Sequence, residues 1–383
     1  MLKWKNMAVV IKTVETKKEL KLFVQFANKL YKDCPYYCPS LDMDEYTTWN
    51  SKKNPALEFS QFKLFLAYKD NELVGRVAAL INHRANETWQ NKHVRFGWID
   101  FIDDKEVSKA LLDAVAQYGR ENGMTEMNGP VGFTDFDKEG ALVEGYDYLA
   151  PMASLYNYPY YLDHYEAYGL KKEVDWIEFL IKAPRAVPER YARLDKIVKE
   201  RFHLHVHKVH SAKELLEAYP TLEYFDVLDA AYQKLYNYTP MTYRQKQYYS
   251  DIYFRLLNFD FVTIVENENN EIVGVGLGMP DVSEALRKSG GKLFPFGWLR
   301  MLRALKAKKM KHFDLLLIGV RPDYQDKGVT AVIFNEQIPY YAKYGIEEVE
   351  TTSILETNRK NQANFEMFDH IQHKRRRAYI MPI

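Results

Sequence analysis

Residues 314–334 read DLLLIGVRPDYQDKGVTAVIF. An apolar run, Leu315 to Val320, passes through a polar turn into a second apolar segment. The first run suits a buried strand, and the second predicts a helix over 329–343. Between them the turn places Gln325, Asp326, Lys327, Gly328, Val329 and Thr330. A helix start leaves backbone N–H groups unpaired and carries partial positive charge. A glycine there removes the Cβ that would hold an anion away from those amides. The spacing Gln325-x-x-Gly328-x-Thr330 therefore suits a phosphate cradle, with Lys327 adding charge beside it. Glycines at helix starts also serve packing alone, so the pattern needs its context.

At 383 residues the chain is too long for one ordinary core, which predicts two domains. A hydrophobic share of 47% predicts folded cores rather than disorder. Lys and Arg number 53 against 52 Asp and Glu, so the whole chain is not built to bind nucleic acid, and no stable nucleic-acid partner is expected. No apolar run approaches the roughly 20 residues that span a bilayer. The N-terminal stretch MLKWKNMAVVIKTVE lacks the pattern of a signal peptide, and a cytoplasmic location is expected. Cys34 and Cys38, the two cysteines, read as reduced thiols in CPYYC.

The chain repeats itself. FLAYKDNELVGRVAAL (65–80) matches TIVENENNEIVGVGLG (263–278) at an offset of about 199, each a hairpin with Gly75 or Gly274 early in its second strand. IDFIDDKEVSKALLDAVAQYGRENGM (99–124) parallels the turn and helix of 320–346 at an offset of about 222, with Glu106 facing Gly328. The difference locates an insertion in the second copy, near 282–311. Each copy opens as strand, polar turn and amphipathic helix, with Thr16 or Glu15 and Ser211 as the candidate N-caps. The order β-α-β-β-β-α-β results for both. Two α/β domains with mixed sheets are expected, 1–184 and 185–383, with 185–200 as a connecting helix.

With strand, turn and helix in this order, residues 314–334 resemble the GNAT superfamily of acyl-CoA N-acyltransferases. Their signature is Gln/Arg-x-x-Gly-x-Gly/Ala, from which Thr330 departs. The resemblance covers essentially the whole chain as two tandem GNAT domains, and its signature is stronger in the second. It implies that the amides of 326–330 hold the pyrophosphate of acetyl-CoA or another acyl-CoA. It also implies that Ile318, Gly319 and Val320 pair by backbone with the pantetheine arm. In NRKNQANFEMFDHI, Asn361 and Phe368 fall where the family has an Asn facing the cofactor and a Tyr beside the thioester sulfur. Phe cannot donate a proton to the leaving thiolate as Tyr does. Glu356 is the candidate general base on an amine, and its alternative role is to cap the helix starting near Asn358. In the first copy NYPYYLDHYEAYGLKKEVDW matches the same region, opening at Asn157. There Glu106, near Asp103 and Asp104, would repel a pyrophosphate, so only the second domain is expected to bind CoA.

NGPVGFTDFDKEGALVEGY (128–146) is a long loop carrying Asp135, Asp137, Glu139 and Glu144. Asp135, Glu139 and Glu144 are candidates for holding a cationic amine, a small molecule or a peptide, with a solvated acidic loop as the alternative. FHLHVHKVH (202–210) aligns His203, His205 and His207 on one strand face, but its apolar alternation accounts for the pattern and no metal is expected. The stretch 287–311 holds nine basic residues and no acidic one, and reads as a membrane-surface or acyl-carrier contact or as a basic face over the CoA cleft. The activity expected is transfer of an acyl group from acyl-CoA to an amine by direct attack. The rivals are a Fem-type aminoacyl transferase and a CoA-binding sensor or scaffold of weak activity.

Overall fold

A computed structural model describes residues 8–254 and 256–383; the first seven residues of the N-terminal stretch lie outside it. The elements of the first half are β1 (Val10–Thr13), α1 (Lys17–Leu30), α2 (Asp42–Thr48), β2 (Ser60–Lys69), β3 (Glu72–Asn82), α3 (His83–Trp89), β4 (His93–Phe101), α4 (Lys105–Glu121), β5 (Glu126–Gly129), β6 (Ala141–Glu144), α5 (Tyr160–Tyr168) and β7 (Lys171–Lys182). The second half holds α6 (Glu189–Phe202), β8 (His205–His207), α7 (Ala212–Ala218), α8 (Glu223–Tyr232), α9 (Tyr243–Tyr253), β9 (Val262–Glu266), β10 (Ile272–Pro280), α10 (Ser283–Ser289) and α11 (Gly297–Leu305). It closes with β11 (His312–Val320), α12 (Val329–Tyr344), β12 (Glu348–Thr351), β13 (Ile354–Leu355), α13 (Arg359–Ala363) and β14 (His370–Pro382).

The chain forms two compact units. In the first, β1, β2, β3 and β4 make an antiparallel meander, and α4 crosses over to β5, which runs parallel to β4. In the second, β8 to β11 repeat the meander and α12 crosses over to β12, parallel to β11. The repeat read from the sequence is therefore a repeat of structure.

The units do not divide at 184/185. The first comprises 1–176, 286–295 and 374–383; the second comprises 177–285 and 296–373. The physical reason lies at the free edge of β5. The C-terminal strand fills it, with Tyr379 opposite Gly129 and Pro382 opposite Glu126. The corresponding edge of β12 is filled by β7, with Glu348 opposite Lys182. Each sheet thus takes its sixth strand from a distant part of the chain, which removes an open edge. The expected insertion is likewise split, because the Asp42 amide donates to the Gly291 carbonyl at 3.0 Å within the first unit. Nor is 185–200 a mere connector: α6 begins at Glu189 and buries Tyr191 and Val198 in the core of the second unit.

Local signals behave as their chemistry dictates. Thr16 accepts from the Glu19 amide and Glu19 reaches back, a capping box, while Ser211 caps α7 through the Glu214 amide. Cys34 and Cys38 are buried thiols with no disulfide. Gly75 and Gly274 occupy equivalent places. A Cβ on Gly75 would meet Leu111 Cδ1 of α4 at 2.8 Å, and one on Gly274 would meet Val329 Cγ1 of α12 at 2.7 Å. Both glycines let the crossover helix press against its strand. Valine at either position should lower stability by about 1–3 kcal/mol through overpacking, read as a lower urea midpoint at unchanged slope.

Candidate functional site

The second unit builds its site around the end of β11. Phe313 and Leu315 belong to the core beneath α12, together with Phe179, Ile181 and Val349 of the neighbouring strands. Simple alternation would then send Ile318 and Val320 to the opposite face. They lie instead on the α12 side, while a Cβ on Gly319 would meet Leu228 of α8 at 2.6 Å. The cause is a bulge. Leu277 pairs with Leu317 and Gly278 with Leu315, which leaves Leu316 as an extra residue in β11. A one-residue slip exchanges the faces of everything beyond it.

At the bulge β11 also parts from β12. The parallel ladder runs from His312–Glu348 to Leu315–Thr351 and stops. Thr352 bridges the opening, its amide donating to the Leu315 carbonyl at 3.2 Å and its hydroxyl to the Leu316 carbonyl at 2.8 Å. Beyond it, residues 317–320 stay paired with β10 but not with β12. A backbone edge freed in this way can accept an extended ligand as an added strand. The Ile318 carbonyl accepts from the Tyr232 hydroxyl at 2.9 Å.

The turn beyond β11 follows its sequence closely. Gln325 Nε2 ties back to the Val320 carbonyl at 3.1 Å. Asp326 and Gly328 have φ of 62° and 83°, and no side chain caps α12. The 16-residue helix thus starts at a residue without Cβ and with no side chain capping its first amides. Lys327 Nζ sits 5.0 Å from the Phe202 ring centroid and 4.6 Å from that of Tyr324, which holds the cation beside the turn. Asp326, an acid in the cradle, is paired with Lys360 at 2.5 Å.

Helix α13 follows β13 as the sequence placed it, and its asparagines bond one another and α12. The Thr330 hydroxyl donates to Asn364 Oδ1 at 3.0 Å, and Asn364 Nδ2 approaches Asn361 Oδ1 at 3.4 Å. Thr330 and Asn361 are thus joined through Asn364, a residue the sequence reading passed over. The helix cap is Asn358, accepting from the Asn361 amide, so capping is not the role of Glu356. Phe368 is buried, stacked on Tyr191 at 5.4 Å with planes 10° apart, and packs against Phe334. Its ring is part of the core.

On the α8 face lie acids that spacing did not reveal. Because Phe179, Val349 and Phe313 face α12, their neighbours Glu178, Glu350 and Asp314 face the other way. Ligand atoms of Glu178, Glu350 and His373 lie within 4.8 Å of one another. His373 Nδ1 is 3.0 Å from the Glu178 carbonyl, and its Nε2 is 3.2 Å from Glu350 Oε1. The Ser353 hydroxyl donates to Glu178 Oε1 at 2.9 Å. Three strands distant in sequence supply these groups. The arrangement can hold and move a proton, and its donor set is one a cation accepts. Farther along the same unit, His205 and His207 approach Glu266 at 3.0 and 3.4 Å, while His203 ends α6 in the left-handed region rather than joining a strand face. Glu266 lines a cavity of about 600 Å³ with Glu223, Asp226, Glu271 and Arg321.

The first unit closes the equivalent helix start. The caps align Asp104, not Glu106, with Gly328. Asp104 accepts from the Glu106 amide, and Lys69 bonds both carboxylates at 2.5 and 2.9 Å. Asn157, the counterpart of Asn361, spends its amide on the Leu142 backbone. In the loop 128–146, Asp137 accepts from the Phe133 and Thr134 amides at 2.8 and 3.1 Å. Burial pushes Asp135 up to about 7, opposed by Arg95, and raises Glu139 well above the usual carboxylate range. Glu144 stands apart from them on β6, exposed and paired with Arg375 at 3.2 Å. The nearby tyrosines pack, with the Tyr31 and Tyr161 hydroxyls 2.7 Å apart.

Asp135 gives a pH prediction. A folded value above the unfolded one means that the folded chain takes up a proton, so this contribution is complete below about pH 4 and lost as pH rises through about 7. Asp135→Asn should therefore raise the melting temperature near about pH 8, with the gain vanishing toward about pH 4. Thermal unfolding followed across that range checks it.

No family model matches the chain. It is 27% identical over 377 residues to protein YghO of Escherichia coli strain K12, covering 97% of this chain and 94% of that one. It is also 27% identical over 320 residues to a bacterial ceramide synthase of Caulobacter vibrioides, covering 82% and 80%. Among solved structures it resembles a tandem GNAT protein from the clavulanic acid biosynthesis pathway, at a TM-score of 0.56, 9% identity and 98% coverage of both chains. The GCN5-related glucosamine N-acetyltransferase region of a fungal multi-domain protein superposes at the same TM-score, with 11% identity and coverage of 98% of this chain and 38% of that one. Among the described residues no helix is long and apolar enough to cross a membrane. With its two meanders and two crossover helices, the chain has the tandem GNAT fold.

Proposed function

We propose that this protein is an N-acyltransferase whose second unit takes the acyl group of a CoA thioester and passes it to an amine. The observation that carries the reading is the parting of β11 from β12 at Leu316, beside a helix start left open at Gly328. In this reading the amides of 326–330 receive the pyrophosphate, with Lys327 and Lys360 offsetting its charge. The freed edge of β11 receives the pantetheine arm. The amine nitrogen bonds to the thioester carbon, the C–S bond breaks, and an amide and the CoA thiol result. A proton must leave the attacking nitrogen. Glu350, against His373, and Glu356 are the two carboxylates proposed to take it.

Likeness to a ceramide synthase supports an acceptor amine borne on a long alkyl chain, since a ceramide is an N-acylated long-chain amine. It also supports fatty acyl-CoA beside acetyl-CoA as donor. The placement of Phe368 in the core favours a second reading, a CoA-binding protein of weak activity, because the position offers no hydroxyl to the thiolate. In the first unit, Asp104 and Glu106 at the helix start support the absence of a CoA site.

Purified protein given acetyl-CoA or palmitoyl-CoA with a long-chain amino alcohol should form the N-acyl product, detected by mass spectrometry. Gly328→Glu places a carboxylate against the pyrophosphate, and like charges at about 4 Å cost on the order of 4 kcal/mol, so kcat/KM should fall several hundredfold. Glu350→Gln and Glu356→Gln separate the two candidate bases: the true one lowers kcat about 100-fold or more with little change in KM. CoA binding without turnover of any amine would select the second reading.

A further inference from the structure

Helix α11 of the second unit buries one face, and large apolar and basic side chains elsewhere on it remain exposed. Gly297 and Met301 are buried, while Trp298 is 48% and Leu302 40% exposed one turn apart. Phe296, at the helix start, is 68% exposed. Arg300, Arg303 and Lys306 follow at three-residue spacing beside this apolar strip, and all three are exposed. Lys308, Lys309 and Lys311 continue the charge, and no acidic residue occurs between 296 and 311. The whole chain is nearly neutral, so the cationic character is concentrated here.

We propose that α11 is a docking surface for an anionic phospholipid bilayer. Three chemical features agree on that occupant. Large apolar side chains in water gain free energy by leaving it, and aromatic rings favour the headgroup level of a bilayer. Arginine and lysine beside them meet anionic headgroups while their stems lie along apolar surface. A single short helix seated by one face on a folded unit lies in the plane of the interface rather than across it. A basic helix facing an acidic protein would need its charges alone; the exposed Phe296, Trp298 and Leu302 would gain nothing from a polar carboxylate surface. The proposal stands on this surface and is independent of the acyl-transfer reading.

The test is co-sedimentation of the full chain with vesicles. Binding to phosphatidylcholine vesicles containing phosphatidylglycerol is expected at about 0.1 M salt, and at least about tenfold weaker binding to phosphatidylcholine alone. Trp298→Ser with Leu302→Ser should weaken it about tenfold at unchanged far-ultraviolet circular dichroism, and Arg300→Gln with Arg303→Gln should weaken it comparably and flatten its salt dependence. Wild-type protein that stays in solution with the anionic vesicles would overturn the proposal. So would binding as tight as the wild type's by both double variants, or binding of an acidic acyl-carrier protein at this helix with none to vesicles.

Discussion

Leu316 is one residue too many for the ladder between β10 and β11, and the second unit is arranged around that surplus. Without it, Ile318 and Val320 would face α8 and β11 would have no local reason to leave β12. With it, the faces exchange and the parallel pairing ends at Leu315, so residues 317–320 keep β10 as a neighbour but lose β12. The packing on either side tolerates this because glycines stand where the layers are closest. Gly274 admits α12 and Gly319 admits α8. The apolar clusters around Phe313 and Phe334 on one side, and Val329 and Ile333 nearby, hold the strand while its edge is left open.

The two units treat the start of the same crossover helix differently. Both carry a crossover helix pressed against a glycine of the preceding hairpin. At the start of α12 the chain offers Gly328 in a left-handed conformation and no side-chain cap. At the start of α4 it offers Asp104, a cap that satisfies the amide an anion would use, backed by Lys69 and Glu106. A carboxylate cap lends a helix start stability, whereas an open start keeps its field for a ligand. The first unit spends the dipole on itself.

What the sequence made legible was what is local. The capping box at Thr16, the cap at Ser211, the hairpins, the turn at Gln325–Thr330 and the helix after it all depend on neighbours a few residues apart. Tandem organisation was legible because the repeat is collinear. The exchanged sixth strands were not, since nothing in β14 records that its partner is β5. Glu178, Glu350 and His373 escaped notice because they come from three strands and meet only in space. The bulge at Leu316 hides inside the run LLLIGV, whose apolar character is the same on either side of the slip. The self-alignment set Glu106 against Gly328, while the caps set Asp104 there, because the two turns differ in length where spacing gives no anchor. Phe368 was placed beside a ligand by analogy of position, and its environment, Tyr191 from α6, belongs to a helix the sequence offered only as a connector.

The central claim is that one helix start of the two is open to a CoA pyrophosphate. Calorimetric titration of the full chain with CoA measures it directly by stoichiometry. The account predicts one site per chain, unchanged by Asp104→Gly. Two equivalent sites per chain in the wild type, or no binding at all, would contradict it.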